Sequence, residues 1–298
     1  MTLPLPATST IASEGVLAVP AAHRALPRML QTRRGVVALV LAIVIVASAL
    51  FAPLLAPYDP AVQDLARKLE PPNREHLLGT DQFGRDVLSR ILFGGRISLL
   101  TGIGSVTIGA TIGVLIGLLA AYRGGWPEMM AMAGIDVLLG FRTYLLAIMV
   151  VALLGPSTLN MLLAIGIAMF PEIARITRAE TLSVKNRDFV TAARSGGASH
   201  LRILMRHVTP QVIAPLVVVA TFNIANAIIV EASLSFLGLG PAPPTPAWGL
   251  MISEGRRFIL GDAWLPAIPG VAIMLTVLAF NMLGDTLRDL QDPRLRRR

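Results

Sequence analysis

The sequence predicts an all-α integral membrane protein with six membrane-spanning helices, and three observations support this class. Hydrophobic residues make up 54% of the 298 residues and the mean hydropathy is +0.67, which is too apolar for an ordinary soluble domain. The apolar residues are concentrated in six stretches, most of which have the roughly 20 residues that a helix needs to cross a hydrocarbon core of about 30 Å. Basic residues outnumber acidic ones by 26 to 18 and collect beside these stretches, as they do in cytoplasmic flanks.

Residues 1–34 are predicted to form a cytoplasmic leader, which is rich in Ala, Pro, Ser and Thr and ends in Arg33 and Arg34. The apolar stretch within residues 35–57 is too long for the core of a cleaved signal peptide, so we assign it to the first membrane-spanning helix. Because arginines are retained on the cytoplasmic side, this helix runs outward and residues 58–96 are expected to be extracytoplasmic.

Residues 97–287 are predicted to hold five more spans. A cytoplasmic segment, 176–210, lies between the fourth and fifth spans of the chain, and a basic tail, 288–298, follows the last one. The expected spans are 97–122, 129–154, 159–171, 212–230 and 265–283, and the fourth is short unless it continues to residue 176. In the first of these, glycines recur at every fourth position from Gly109 to Gly117, which predicts a face that packs closely against another helix. Six spans place both termini in the cytoplasm.

Polar side chains interrupt the third and fifth spans. A charge inside a span is costly and is a functional candidate by default. Asp136 and Arg142 are such charges, although a place near the end of the span or a partner on another subunit would also accommodate them. In the fifth span, Asn223, Asn226 and Glu231 would more often bond to neighbouring helices than line a path. These five residues are our candidates for intramembrane polar or pathway positions.

The cytoplasmic segment 176–210 is rich in arginine and contains two helix-compatible arms. The arms meet at Gly196 and Gly197, where glycine permits the backbone that a chain reversal needs, and Pro210 is expected to stop the second arm. Apolar residues recur at helical spacing along the second arm and predict a stripe on one face of a short helix. They are Leu201, Leu204, Met205 and Val208. Such a stripe can cover lipid headgroups, the protein's own domain or the groove of another protein.

Within this segment, Thr191-Ala192-Ala193, followed by Gly197, Ile203 and Pro210, resembles the EAA loop of binding-protein-dependent ABC importer permeases. The resemblance implies a coupling helix that docks on an ATPase subunit, with Thr191 standing where the family usually has Glu. Our candidate residues for this ATPase-coupling helix, from the resemblance and from the helical stripe together, are Thr191, Ala192, Ala193, Gly197, Ser199, Leu201, Ile203, Leu204, Met205, His207 and Pro210.

Two outer stretches are similar to the dipeptide, oligopeptide and nickel subgroup of these permeases. One begins at His76 and has the pattern HLLGTDxxGRDxxSRxxxGxRxSL; the other begins at Glu231 and reads EASLSFLGLG, followed by PTPxWG. A local departure is Arg142-Thr143, where the family usually has Phe-Pro. The resemblance implies the type I ABC importer permease fold and a peptide substrate, with nickel chelates or other small solutes as the alternative.

The resemblance also implies partners. These are a second homologous permease, two ATP-binding domains on the cytoplasmic side and an extracytoplasmic substrate-binding protein, all at the bacterial inner membrane. ATP and Mg would be bound by the ATPase subunits. Neither Lys68 nor Lys185 lies in a GxxxxGK[ST] context, so we expect no nucleotide, cofactor or catalytic site in this chain. The chain has no cysteine and four scattered histidines, which predicts no metal site, and its basic excess beside apolar spans does not indicate nucleic acid.

A second class of function stays open from the residues alone, namely an ion-coupled secondary transporter that would use Asp136, Arg142 or Glu231 as a relay. Such carriers are commonly built from internal repeats with half-helices that meet at mid-membrane. The sequence has no convincing internal repeat. A third class, a non-transporting receptor or assembly subunit, is disfavoured by the coupling segment.

Overall fold

The computed structural model describes residues 32–291, which fold into eleven α-helices. In chain order they are α1 (Arg33–Leu50), α2 (Ala52–Leu55), α3 (Val87–Arg123), α4 (Gly125–Leu139), α5 (Thr143–Leu154), α6 (Thr158–Lys185), α7 (Asp188–Ser195), α8 (His200–Ile203), α9 (Thr209–Phe236), α10 (Trp248–Gly255) and α11 (Trp264–Gln291). Short 3-10 turns lie at Leu65–Arg67 and Arg256–Phe258, and no β-strand occurs between residues 32 and 291. Most of the predicted leader and the end of the predicted tail lie outside the described residues.

Five continuous helical stretches are long and apolar enough to cross a membrane: α1, α3, α6, the joined α8 and α9, and α11. The pair α4 and α5 passes the same test only when taken together. Residues 32–291 therefore contain five candidate spans, or six if the pair counts as one. This agrees with the all-α membrane class predicted from the hydropathy pattern.

The third span, expected over 129–154, is broken into two helices, a bend that the sequence did not predict. α4 and α5 are bent by 89° relative to each other. The amide of Gly140 still donates to the Asp136 carbonyl at 3.1 Å, but Arg142 has an extended backbone with φ −64° and ψ 139°. Glycine is a weak helix former, and the chain changes direction immediately after it. Asp136 and Arg142 consequently lie on opposite sides of the break.

The first span also consists of two pieces. α1 begins where the hydroxyl of Thr32 accepts a hydrogen bond from the amide of Gly35 at 3.1 Å, and it ends before Phe51. The four-residue α2, which carries Pro53, follows and ends at Leu55. Proline fits the first turn of a helix because no intrahelical partner is needed for its missing N–H. The outer end of the predicted span is therefore this short second helix.

α3 and α6 pack closely through small residues. Gly109, Gly113 and Gly117 all face α6, and a Cβ on Gly117 would lie 2.4 Å from the carbonyl oxygen of Ala174. The absence of side chains lets the two backbones approach each other, as small residues at fourfold spacing do in membranes. The packing face expected from the glycine spacing is thus confirmed: it lies on α3, which has 37 residues, and packs against α6.

Pro210 does not stop the helix in which it lies, contrary to the sequence-based expectation. α8 passes through a π-helical turn, Leu204–Val208, and continues directly as α9. The Thr209 hydroxyl donates to the Leu204 carbonyl at 2.9 Å. A π-turn shifts the hydrogen-bond acceptors by one residue, and this gives room for a proline ring that would otherwise clash with the preceding turn. The second arm is therefore continuous with the fifth span.

Candidate functional site

The predicted coupling segment lies between α6 and α9 and contains α7 and α8. The chain reverses between these two helices, where Gly197 has φ +78°, a backbone region that L-residues rarely adopt. α8 is then capped by Ser199, whose hydroxyl accepts a hydrogen bond from the amide of Arg202 at 3.4 Å. The two arms expected from the sequence are therefore present and meet at the expected glycines.

One side of this segment is anchored in the membrane domain. Ile203 and Val208 are 0% exposed, and Leu204 is also buried. They belong to one apolar cluster with residues from α3, α6, α7 and α9, namely Leu118, Val184, Val190, Val212 and Leu216. Burial of this cluster fixes α7 and α8 to three membrane-spanning helices at once.

The other side of the segment carries exposed apolar side chains. Leu201 is 69% exposed, Met205 61% and Phe189 39%. The prediction that these four residues share one face is therefore wrong. Leu204 and Val208 are buried in the domain, whereas Leu201 and Met205 are exposed. The reason is that Ile203, which the stripe omitted, occupies the buried face beside Leu204, and the apolar residues cover more of the helix than the domain can bury.

The exposed face is also basic. Four arginines on it are exposed, and none of them forms an ion pair within residues 32–291: Arg187, Arg194, Arg202 and Arg206. Of the remaining predicted coupling residues, Thr191, Ala192, Gly197, Ser199 and Pro210 are exposed, while Ala193 and His207 are partly buried. An exposed surface that carries both apolar and cationic side chains suits an acidic protein surface with an apolar groove.

Polar bonds also tie the segment to the spans. The Lys185 ammonium donates to the carbonyls of Ala121 and Tyr122, each at 3.0 Å, and so satisfies the C-terminal end of α3. The Tyr122 hydroxyl donates to the His200 carbonyl at 3.0 Å. Arg178 pairs with Glu128 at 2.6 Å, which links α6 to the start of α4. Sequence analysis missed these contacts because each joins residues at least 50 positions apart.

The five candidate intramembrane polar residues do not form one site. Glu231 is 0% exposed, and one of its carboxylate oxygens accepts a hydrogen bond from the Ser235 hydroxyl at 2.9 Å. Asn223 is buried and Asn226 partly buried on the same helix. Asp136 and Arg142 are instead exposed at the break between α4 and α5, and neither pairs with an opposite charge in the described part of the chain.

The outer HLLGTD motif builds a buried ionic cluster. The side chains of Arg85 and Arg90 are each 1% exposed. Arg85 lies 2.6 Å from Asp81 and 2.9 Å from Glu254, while Arg90 lies 3.2 Å from Glu254. Glu254 belongs to α10, so the cluster fixes the segment before α3 onto α10, which lies between the fifth and sixth spans. The sequence identified the motif but gave no sign of this partner, which is 169 residues from Arg85.

A second set of contacts completes the outer segment. His76 Nδ1 lies 2.9 Å from the Asp86 carboxylate, whose other oxygen accepts from the Ser89 amide at 2.8 Å and so caps α3. The hydrogen bond and charge of Glu75 raise the pKa of the Arg67 guanidinium above its ordinary value. Between residues 32 and 291, no three His, Asp or Glu side chains are grouped as metal ligands would be.

Two protein families match the chain. Residues 113–297 match the family described as binding-protein-dependent transport system inner membrane component, and residues 22–72 match the N-terminal TM domain of oligopeptide transport permease C. The first match covers the broken span, the coupling segment and the two last spans. The second covers α1 and α2.

Individual relatives are similar over nearly their full length. The di/tripeptide transport system permease protein DppC of Pseudomonas aeruginosa is 45% identical over 85% of this chain and 86% of its own. The dipeptide transport system permease protein DppC of Haemophilus influenzae is 42% identical over 89% and 92%, respectively. The glutathione transport system permease protein GsiD of Escherichia coli is 44% identical over 85% and 84%.

Proposed function

Because the chain belongs to the family of binding-protein-dependent transport system inner-membrane components, we propose that it is the permease subunit of an ATP-driven importer of short peptides. Relatives named for di- and tripeptides, dipeptides and glutathione support this substrate class, since all of these are short peptides. Nickel chelates and other small solutes stay as the alternative cargo, because an extracytoplasmic binding protein would select the substrate.

The observation that carries the proposal is the two-sided coupling segment. Its buried side joins α3, α6 and α9, and its exposed side presents Leu201, Met205 and Phe189 within a basic surface. We assign that exposed face to the ATPase subunits. Closure of the ATPase pair would displace α7 and α8, and the spans joined to them would tilt and change access between the two sides of the membrane. This is transmission through a docked, rigid element.

The remaining parts of the transporter follow from this assignment. ATP and Mg would be bound and hydrolysed by two separate ATPase domains, because no phosphate-binding loop is present in this sequence. A second homologous permease would complete the pathway, and an extracytoplasmic binding protein would deliver the peptide. Both termini of this chain would then be cytoplasmic, in the bacterial inner membrane.

The broken third span is the part of the chain that we assign to the pathway. Asp136 and Arg142 flank the break and are exposed. Charged side chains within a span do not face lipid but face other protein or water. These two residues would therefore face the second permease or the aqueous path, whereas Glu231 is enclosed by the packed helices.

The proposal is tested by uptake of a labelled dipeptide into vesicles that contain this chain with its permease, ATPase and binding-protein partners. We expect uptake that requires ATP on the ATPase side and is blocked by vanadate. Uptake that ignores ATP and collapses with the proton gradient would replace the proposal with an ion-coupled carrier. ATP-dependent uptake of a nickel chelate without any uptake of dipeptides would instead keep the importer and change its cargo.

A further inference from the structure

An apolar groove of about 450 Å³ opens between α1, α3 and the loop before α10. Its walls are almost entirely hydrophobic and are formed by Val46, Ala49, Leu50, Phe93, Ile97, Leu99, Leu100, Thr245 and Pro246. Three of the large apolar side chains are well exposed although they line a concave surface: Val46, Leu50 and Leu100. The groove therefore has no occupant from residues 32–291.

A single charge, Arg96, lies in the lining of this groove. Its side chain is exposed and makes no hydrogen bond or ion pair to any residue that the structure describes. Its guanidinium lies 5.9 Å from the centre of the Phe93 ring, which holds it beside the groove. No acidic side chain lines the groove, so its charge of +1 is uncompensated.

The order of the lining residues along the helices matches the order of groups in a membrane lipid. α3 runs inward from its outer end, so that Leu100 lies one turn, about 6 Å, deeper than Arg96. α1 runs outward, so that Val46 lies one turn deeper than Leu50 near the outer end of that helix. The cation is therefore at the headgroup side of the groove, and the apolar walls extend below it toward the hydrocarbon core.

From this arrangement we propose that the groove binds an anionic phospholipid of the outer leaflet, with the phosphate on Arg96 and an acyl chain between α1 and α3. A zwitterionic peptide would leave its ammonium group without a partner there, since the groove offers no carboxylate. Basic pockets between transmembrane helices on the cytoplasmic side bind anionic headgroups, and Arg96 would offer the same charge at the outer face. The proposal rests on the membrane location of the chain and on the proposed orientation, with the N-terminus inside, and it is independent of what the transporter carries.

The test uses the complete transporter in lipid nanodiscs and a tryptophan reporter in the groove, F93W, which keeps an aromatic ring beside Arg96. Dibrominated phosphatidylglycerol or dibrominated phosphatidylcholine replaces part of the lipid, and the fluorescence of the parent complex is subtracted. We expect half-maximal quenching at about fivefold lower mole fraction of phosphatidylglycerol, because one arginine near a membrane surface contributes about that factor. L100W, one turn deeper on an exposed position, serves as a second reporter if the F93W complex does not assemble.

Three variants identify the cause of the preference. R96Q added to the reporter should remove the difference between the two lipids, whereas R96K should retain most of it. R257Q, which removes an exposed arginine outside the groove, should leave the difference unchanged. Equal quenching by both lipids in the F93W complex that retains Arg96 would overturn the proposal. Absence of quenching by either lipid would also overturn it, because the groove would then be covered by protein, such as the second permease.

Discussion

Simultaneous truncation of Leu201 and Met205 to alanine is expected to weaken docking of the ATPase subunits without affecting the fold of the permease. The two side chains are 69% and 61% exposed and make no contribution to the buried cluster below them. Full burial of a side chain of this size contributes about 1.5–3 kcal/mol, so covering the exposed parts contributes about 1–2 kcal/mol each. Their joint loss, about 2–4 kcal/mol, corresponds to a dissociation constant that is higher by a factor of about 30 to 1,000.

The assay titrates the solubilised permease pair with the isolated ATPase subunits. Binding is measured by interferometry and, independently, by the stimulation of ATP hydrolysis. The matched control is the double variant I259A/L260A, which removes two exposed apolar side chains in the turn between α10 and α11. I203A, which truncates a fully buried residue of the same segment, should instead lower the thermal stability of the permease itself. An unchanged ATPase affinity in a monodisperse L201A/M205A variant would refute the assignment of this face.

Three further outcomes follow from the geometry. G197V should abolish uptake with normal membrane insertion, because its backbone at φ +78° costs an L-residue about 1–2 kcal/mol, while G196A, at φ −75°, should retain uptake. R85Q should lower the midpoint of thermal unfolding strongly, since breaking a buried ion pair typically costs about 3–5 kcal/mol, and exposed R74Q should not. Spin labels at R74C and R194C, in a chain without native cysteine, should keep one distance distribution with and without trapped nucleotide; a change of several ångströms would show that the outer segment and the coupling segment move separately.

Hydropathy and glycine spacing predicted the spans and the α3 packing face because both signals are local and repeat along the chain. The break at Gly140 was not predicted, since one glycine within an apolar stretch is compatible with an unbroken helix. Pro210 was misread for a related reason. A proline stops an ordinary α-helix, but the π-turn before it is not encoded in any pattern of the sequence.

The two helical arms of the predicted coupling segment and their glycine turn were located from sequence, but the two faces of the segment were not separated. Helical spacing groups Leu201 with Leu204, yet only the position of α3, α6 and α9 decides which of them is covered. The ionic cluster of Arg85, Arg90 and Glu254 was even harder to predict from local sequence patterns. Arg85 and Glu254 meet only because α10 folds back over the start of α3, and no local pattern connects them.

α3 connects the buried ionic cluster at one of its ends to the coupling segment at the other. At its outer end, Arg90 pairs with Glu254, and the Trp248 indole donates to the Ile91 carbonyl at 3.0 Å. At its inner end, its last carbonyls accept from Lys185 beside the coupling segment. Its 37 residues make a helix of about 55 Å. Because closely packed helices move as units and do not deform continuously, a displacement of α7 and α8 would carry α3 with it. The segment that holds Arg85 and Arg90 would then follow, so that in the proposed importer α3 would transmit ATPase closure to the opposite side of the membrane.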